Sequence, residues 1–185
     1  MGLDMYLSKR LNIKNYNFTK EEDRYEFKLT KNGQEVKFLK EPEAIIFEAA
    51  YWRKANQIHN WFVENVQDGN DDCREYYVSV EQLKELLQLC KKVKVFAKLQ
   101  PAKLHVSTRY TEGKQEKIYE DGFEISNWEE IDELLPTTAG FFFGHTGYDE
   151  YYLRDIEDTI TMLEEALEDV KDDDYSVSFY YQSSW

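Results

Sequence analysis

Glu48, Asn56 and His59 lie in the stretch EAAYWRKANQIHNWF at spacings that a helix would gather on its apolar side. A carboxylate, an amide and an imidazole held together can grip a polar ligand or move a proton. At 100° per residue, with Glu48 at zero, Ala55, Phe62, Tyr51 and Ile58 fall between about −20° and −80°. On the same wheel His59 falls at about +20°, Trp52 at about +40° and Asn56 at about +80°, with Arg53 just outside at about +140°. Burying such polar groups without partners costs on the order of 1–3 kcal/mol each, and more for a charge. Each must therefore meet either another protein group or a ligand, and the clustering with Trp52 favours a polar pocket in the core. A carboxylate beside His59 in an open cleft would favour catalysis there, whereas a fully enclosed pair would count against it.

A second candidate is TTAGFFFGHTGYDEYYLRDI. Glycines between a strand and a helix start can turn backbone N–H groups toward an anion, which brings His145 and Thr146 into consideration. The stretch has neither the lysine of a P-loop nor a full dinucleotide fingerprint. Asp149 also fits a plainer role as the cap of the following helix. Tyr148, Tyr151 and Tyr152 surround this loop, and Tyr76 and Tyr77 follow DGNDDC. The chain holds 14 tyrosines, and a buried phenol needs a hydrogen-bond partner. Tyrosines with Asn, Gln and His suit a site that stacks a planar base, and Tyr76, Tyr148 and Tyr152 join the binding candidates for that reason. A half-exposed sheet bordered by tyrosines accounts for them equally. Arg53, Arg74 and Arg154 are the cations that could meet phosphates. Asp71, Asp72 and His145 make no ligand pair of the H-x-x-x-H kind, so neither a metal nor a cofactor is expected.

The elements that must position these groups read as α+β in a single domain over 1–185, with a mixed or antiparallel sheet, an N-terminal β-hairpin and three main helices. A strand is predicted over 3–8, with Leu3, Met5 and Leu7 on one face. Asn32-Gly33 fits a two-residue type I′ turn that sets Leu29 opposite Val36 and Phe27 opposite Phe38. A helix is predicted over about 43–66, a strand over 75–79, and a helix over 80–98 opened by a Ser79/Gln82 capping box. The segment 100–126 suggests a second hairpin around Glu112-Gly113. Asn127 is placed to cap a short helix that Pro136 ends, Phe141 to Phe143 read as a buried strand, and a third main helix spans about 149–170. Acidic residues at 168–174 sit unfavourably at a helix end, and VSFYYQS reads as a closing strand.

The chain has 185 residues and a formal charge of −14. That length supports one well-cored domain, and 42% hydrophobic with 32% charged residues excludes general disorder. The charge disfavours nucleic acid and anionic membranes as partners. No apolar run reaches the ~18–20 residues of a membrane span, and MGLDMYLSKR is neither a secretion signal nor a myristoylation site. A cytosolic protein is expected, with Cys73 and Cys90 as free thiols and Cys90 packed in the core.

MGLDMYL, YWRKANQIHNWFV, VQDGNDDCREYYVS, LLPTTAGFFFGHTGYDEYYLRDI and the terminal FYYQSSW together resemble a group of small proteins encoded by bacteriophages and prophages. The likeness spans most of the chain and is weakest over 8–42 and 100–125. It carries no established catalytic residues. What it implies is a setting in the cytoplasm of a bacterial host, where phage proteins of this size are often counter-defence factors, some of which capture or destroy nucleotide messengers of immunity.

Three functions compete. The first is a binding protein that sequesters a small nucleotide-like immune-signalling molecule in an aromatic and polar pocket, which needs no catalytic constellation. The second is a hydrolase or phosphodiesterase acting on such a nucleotide, with Glu48 and His59 assisted by Asp149 or Asp155. The third is an acidic inhibitor of a host protein, against which the scattering of acids among lysines argues. The first is preferred. An exposed aromatic edge from Phe179 to Trp185 would suit a homo-oligomer.

Overall fold

The computed structural model describes residues 2–37, 40, 42–111, 114–140, 142–171 and 175–185. In chain order the elements are β1 (Asp4–Asn12), β2 (Thr30–Lys31), β3 (Gln34–Glu35), β4 (Ala44–Arg53), α1 (Asn56–Val66), β5 (Tyr76–Val78), α2 (Val80–Phe96), β6 (Leu99–Thr111), β7 (Lys114–Ile125), α3 (Trp128–Leu134), α4 (Glu150–Leu167) and β8 (Val177–Ser184). This is an α+β arrangement with an antiparallel sheet, as the element pattern predicts.

The alternation Leu3, Met5, Leu7, which runs from the residue before β1 into the strand, builds the centre of a four-stranded sheet of order β4-β1-β8-β5. All three side chains are fully buried. They pack with Ala50 and Trp52 of β4 and Phe179 and Tyr181 of β8 against Ile58 and Phe62 of α1, Leu83 and Leu86 of α2, and Ile156 and Leu163 of α4. Each fully buried leucine or isoleucine contributes roughly 1.5–3 kcal/mol relative to its exposed state. Cys90 is buried in the same core, and burial pushes its thiol up to about 12. The other sheet face carries partly exposed aromatics: Tyr6 beside Tyr51 at 5.3 Å, and Tyr77 beside Tyr180 at 5.9 Å. Much of the tyrosine excess is therefore sheet surface.

The helix predicted over 43–66 is a strand, a corner and a shorter helix. Ala44–Arg53 contains Ile45, Ile46, Phe47, Tyr51 and Trp52, whose shapes suit a pleated surface. Pairing with β1 then outweighs helix formation, and burial alternates at Ala50 and Trp52 with a period of two. Lys54 turns the corner at φ +63°, and α1 begins two residues later. Glu48 consequently leaves the helix face on which it was placed: it pairs opposite Ser8 on an edge strand and is exposed.

Asn32 and Gly33 have φ of 53° and 78°, as a type I′ turn requires, and the Val36 amide donates to the Leu29 carbonyl. The paired strands are only two residues each and exposed, while the pairing of Phe27 with Phe38 falls outside the described residues. Ser79 and Gln82 form the capping box in full. The second hairpin exists and is longer than predicted, reaching back to Leu99, with its Glu112-Gly113 turn outside the described residues. Asn127 precedes α3, but its side chain accepts from the Lys98 amide and donates to the Phe96 carbonyl and to Glu130 instead of capping the helix. Phe142 and Phe143 form a turn, not a strand, because α1 and the terminal Trp185, rather than a neighbouring strand, flank Phe143; Phe141 falls outside the described residues.

Candidate cleft at the strand–helix corner

A cleft of about 320 Å³ opens where the β4–α1 corner faces the loop from Gly144 to Gly147. Arg53 and Lys54 line it from the corner, Gln57 from the first turn of α1, His145 from the loop, and Tyr151 and Asp155 from α4. Both walls are sharp backbone turns. Gly144 has φ +87°, and a Cβ there would meet the Lys54 Cβ at 3.2 Å, so a glycine is needed for conformation and for close approach.

Asn56 holds these walls together. Its side-chain amide donates to the carbonyls of Phe143 (3.2 Å) and His145 (2.9 Å), and its carbonyl accepts the Thr138 amide at 3.0 Å. The buried amide thus has protein partners on both ends and acts as a clasp rather than a ligand group. Thr137 adds a second tie, its hydroxyl donating to the Thr146 carbonyl at 3.2 Å.

The electrostatics of the cleft are mixed, with cations at the corner. Arg53 and Lys54 are exposed. The N-terminus of α1 starts beside them with no side-chain cap and no acidic residue in its first turn, so its positive end is not neutralised. The N-terminus of α4, by contrast, is occupied: Asp149 Oδ1 accepts the amides of Tyr151 (2.9 Å) and Tyr152 (3.1 Å). Asp149 Oδ2 pairs with His145 Nε2 at 2.9 Å, and the Gly147 amide donates to His145 Nδ1 at 2.7 Å. The Asp149 hydrogen bond raises the His145 pKa above its ordinary value against the opposing effect of burial. Burial works to raise the Asp149 carboxyl, but His145 and the two amides outweigh it and hold the group below its usual range. Deeper in, burial pushes the Asp155 carboxyl up to about 6, partly offset by a hydrogen bond from the Gln57 amide at 3.2 Å.

Most of the other residues singled out from sequence lie elsewhere. Trp52 is a core residue whose indole N–H donates to Thr159 Oγ1 at 2.8 Å. Tyr76 sits on β5, at the opposite edge of the sheet from β4, and donates to Asp72. Tyr148 stacks near Trp128 and Tyr152, accepting the Thr137 amide and donating to Asp132. Tyr152 presents an edge to the cleft while its hydroxyl donates to the Leu135 carbonyl at 2.8 Å. Lys54, Gln57 and Thr137 were not singled out from sequence. Only the left-handed corner at Lys54 brings them to this place, and no local pattern announces it.

His59 is enclosed, 1% exposed, between Tyr181 (Nδ1 to hydroxyl, 2.8 Å) and Asp71 (Nε2 to Oδ2, 3.0 Å). One assignment satisfies every atom: Tyr181 donates to Nδ1 and Nε2–H donates to Asp71. The other oxygen of Asp71 accepts the Trp185 indole N–H at 3.0 Å. These bonds tie α1, β8 and the 70–73 loop together; the ring is enclosed, whereas Asp71 is partly exposed and lines a neighbouring cleft, so the pair is not fully enclosed. Among the described residues no group of His, Cys, Asp and Glu is arranged to hold a metal ion, and no helix is long and apolar enough to cross a membrane. Comparisons with protein-family models, with curated proteins and with solved structures found no match to the chain.

Proposed function

We propose that the protein binds a small nucleotide-like anion in the cleft at the β4–α1 corner and holds it without cleaving it. The observation that carries this reading is the convergence of Arg53, Lys54 and the uncapped start of α1 on one cleft with Tyr151 on its wall. Two cations beside the positive end of a helix suit a phosphate, and an adjacent phenol suits a planar base. In the setting that the phage resemblance implies, the ligand is a nucleotide messenger of bacterial immunity, and its capture in the host cytoplasm counters that defence.

Incubating the protein with cyclic and linear nucleotides, then analysing the mixture by mass spectrometry before and after heat denaturation, tests the reading. A nucleotide that disappears from the free pool and returns intact on denaturation supports sequestration. Loss of that capture in Arg53→Ala and Lys54→Ala variants of unchanged melting temperature ties it to this cleft. A panel left wholly free ends the reading.

A hydrolase is the second reading, and one observation favours it. His145, paired with the buried Asp149 behind it, and Asp155, with a carboxyl pushed up to about 6, line one open cleft, which is the composition of an acid–base site. A nucleotide returned in altered form would select this reading, with Asp155→Asn as the first variant to lose turnover.

A further inference from the structure

A second cleft, of about 440 Å³, opens between α1 and the turn at Phe142 and Phe143, and none of the described residues lines both it and the corner cleft. Asn56 and Gln57 serve the corner cleft, whereas Val63 and Glu64, farther along the same helix, line the second. Its volume falls within the roughly 300–1,000 Å³ of small-molecule pockets. The walls are aromatic. Phe142, Phe143 and Trp185 all line it, with the Phe143 and Trp185 rings edge to face at 6.1 Å. Gly140 makes room for this arrangement: a Cβ there would meet the Phe143 ring at 2.5 Å, so the ring lies directly against backbone.

The charge of the cleft is of one sign. Glu64 and Asp71 are the ionisable side chains among the described lining residues, and no lysine or arginine stands with them. Asp71 is held in place by neutral donors. His59 Nε2–H reaches its Oδ2 at 3.0 Å, and the Trp185 indole N–H reaches its Oδ1 at 3.0 Å. Because Tyr181 donates to Nδ1, the imidazole is uncharged. These donors fix the carboxylate without cancelling its charge, and the Asp71 side chain keeps 27% of its surface open.

We propose that this cleft binds a small quaternary ammonium ion, its positive head set against the Trp185 and phenylalanine rings and facing Asp71 and Glu64. Aromatic faces attract a cation through the ring quadrupole, most strongly at tryptophan and where water is excluded. A primary ammonium brings three N–H donors that rings satisfy poorly. A quaternary head has none, so its burial strands no hydrogen bond. An uncharged ligand of the same shape leaves both carboxylates without a counter-charge, and an anion is repelled by them. The site uses no group of the corner cleft, so it stands whether or not a nucleotide binds there.

Choline is the probe, and dimethylbutanol is its uncharged isostere, with carbon in place of nitrogen. Calorimetric titration of the full chain, carried to about 30 mM to cover weak sites, reads both. Choline is expected to bind about tenfold more tightly than the alcohol, the ratio a desolvated cation–π contact supplies. Ethanolamine, with its primary ammonium, should bind more weakly than choline. In an NMR spectrum of the four tryptophan indoles, the signal that choline moves most should be the one missing from Trp185→Phe. Glu64→Gln, at an exposed position, should weaken choline about two- to fivefold with an unchanged melting temperature. Trp185→Leu should abolish binding. An alcohol that binds as tightly as choline would make the cleft merely apolar, and ethanolamine binding more tightly would make it a plain carboxylate site; either result overturns the proposal. So would a titration without binding, or binding that neither substitution alters.

Discussion

Asp155 and Asn56 share the walls of one cleft and respond to opposite kinds of test. For Asp155 the folded carboxyl titrates near 6, above the ordinary value of about 3.9. A carboxyl raised on folding binds protons more tightly in the native state, so its contribution to stability is complete below about pH 4 and is lost as pH rises toward and through 6. Asp155→Asn should therefore remove that pH dependence, and at pH 7.5 should stabilise the fold by on the order of 2 kcal/mol. Urea unfolding at pH 4.5 and 7.5 measures both, and equal losses at the two pH values would refute it. Asn56→Ala should instead cost about 2–3 kcal/mol at either pH, since it strands the Thr138 amide and two loop carbonyls. Arg53→Ala should change stability by less than about 0.5 kcal/mol, an exposed position with no core role. At this scale the sequence was informative about need and silent about partners. That Asn56 and His59 must be satisfied followed from their neighbours' apolarity; that backbone carbonyls, Tyr181 and Asp71 satisfy them did not.

Between the residues and the sheet stands the corner at Lys54. A lysine at φ +63° stores strain of about 1 kcal/mol that a glycine would not. Lys54→Gly should accordingly stabilise the protein by about 0.5–1 kcal/mol, or leave it unchanged after the loss of unfolded-state entropy. It should at the same time weaken nucleotide capture, because a cation leaves the cleft. Stability and binding moving together downward would mean that Lys54 is a packing residue. The same corner explains why the segment 43–66 misled. Alanines and aromatics at Ala49, Ala50, Tyr51 and Trp52 satisfy a helical wheel and a strand's alternation alike, and nothing local decides until β1 supplies a partner. The helix at 80–96 was legible because its signal is self-contained. Ser79→Ala, which deletes one half of that capping box, should cost about 1 kcal/mol in urea titration.

For the molecule as a whole, the alternation of Leu3, Met5 and Leu7 told which face of the first strand is buried but not which strands are its neighbours. The order β4-β1-β8-β5 places the last strand beside the first, and a pairing across so much intervening chain leaves no local trace. Composition, in contrast, acts without regard to topology. A formal charge of −14 on 185 residues repels itself in the compact state more than in the expanded one. Salt shortens the range of that repulsion, from a Debye length of about 30 Å at 0.01 M to about 8 Å at 0.15 M. The exposed ion pairs that salt also weakens, such as Lys91–Glu164 and Lys94–Glu157, are worth at most about 1 kcal/mol apiece. The net repulsion involves every acidic segment and should dominate. Raising NaCl from 10 to about 300 mM at pH 7.5 should lift the melting temperature by roughly 2–4 °C, the shift expected for about 1 kcal/mol in a chain of this length. A fall instead would mean that the ion pairs outweigh the global charge. Asp155→Asn should leave this salt increment almost unchanged, because the repulsion it relieves is spread over the surface, whereas the cost at Asp155 is the local one of keeping a carboxylate from water.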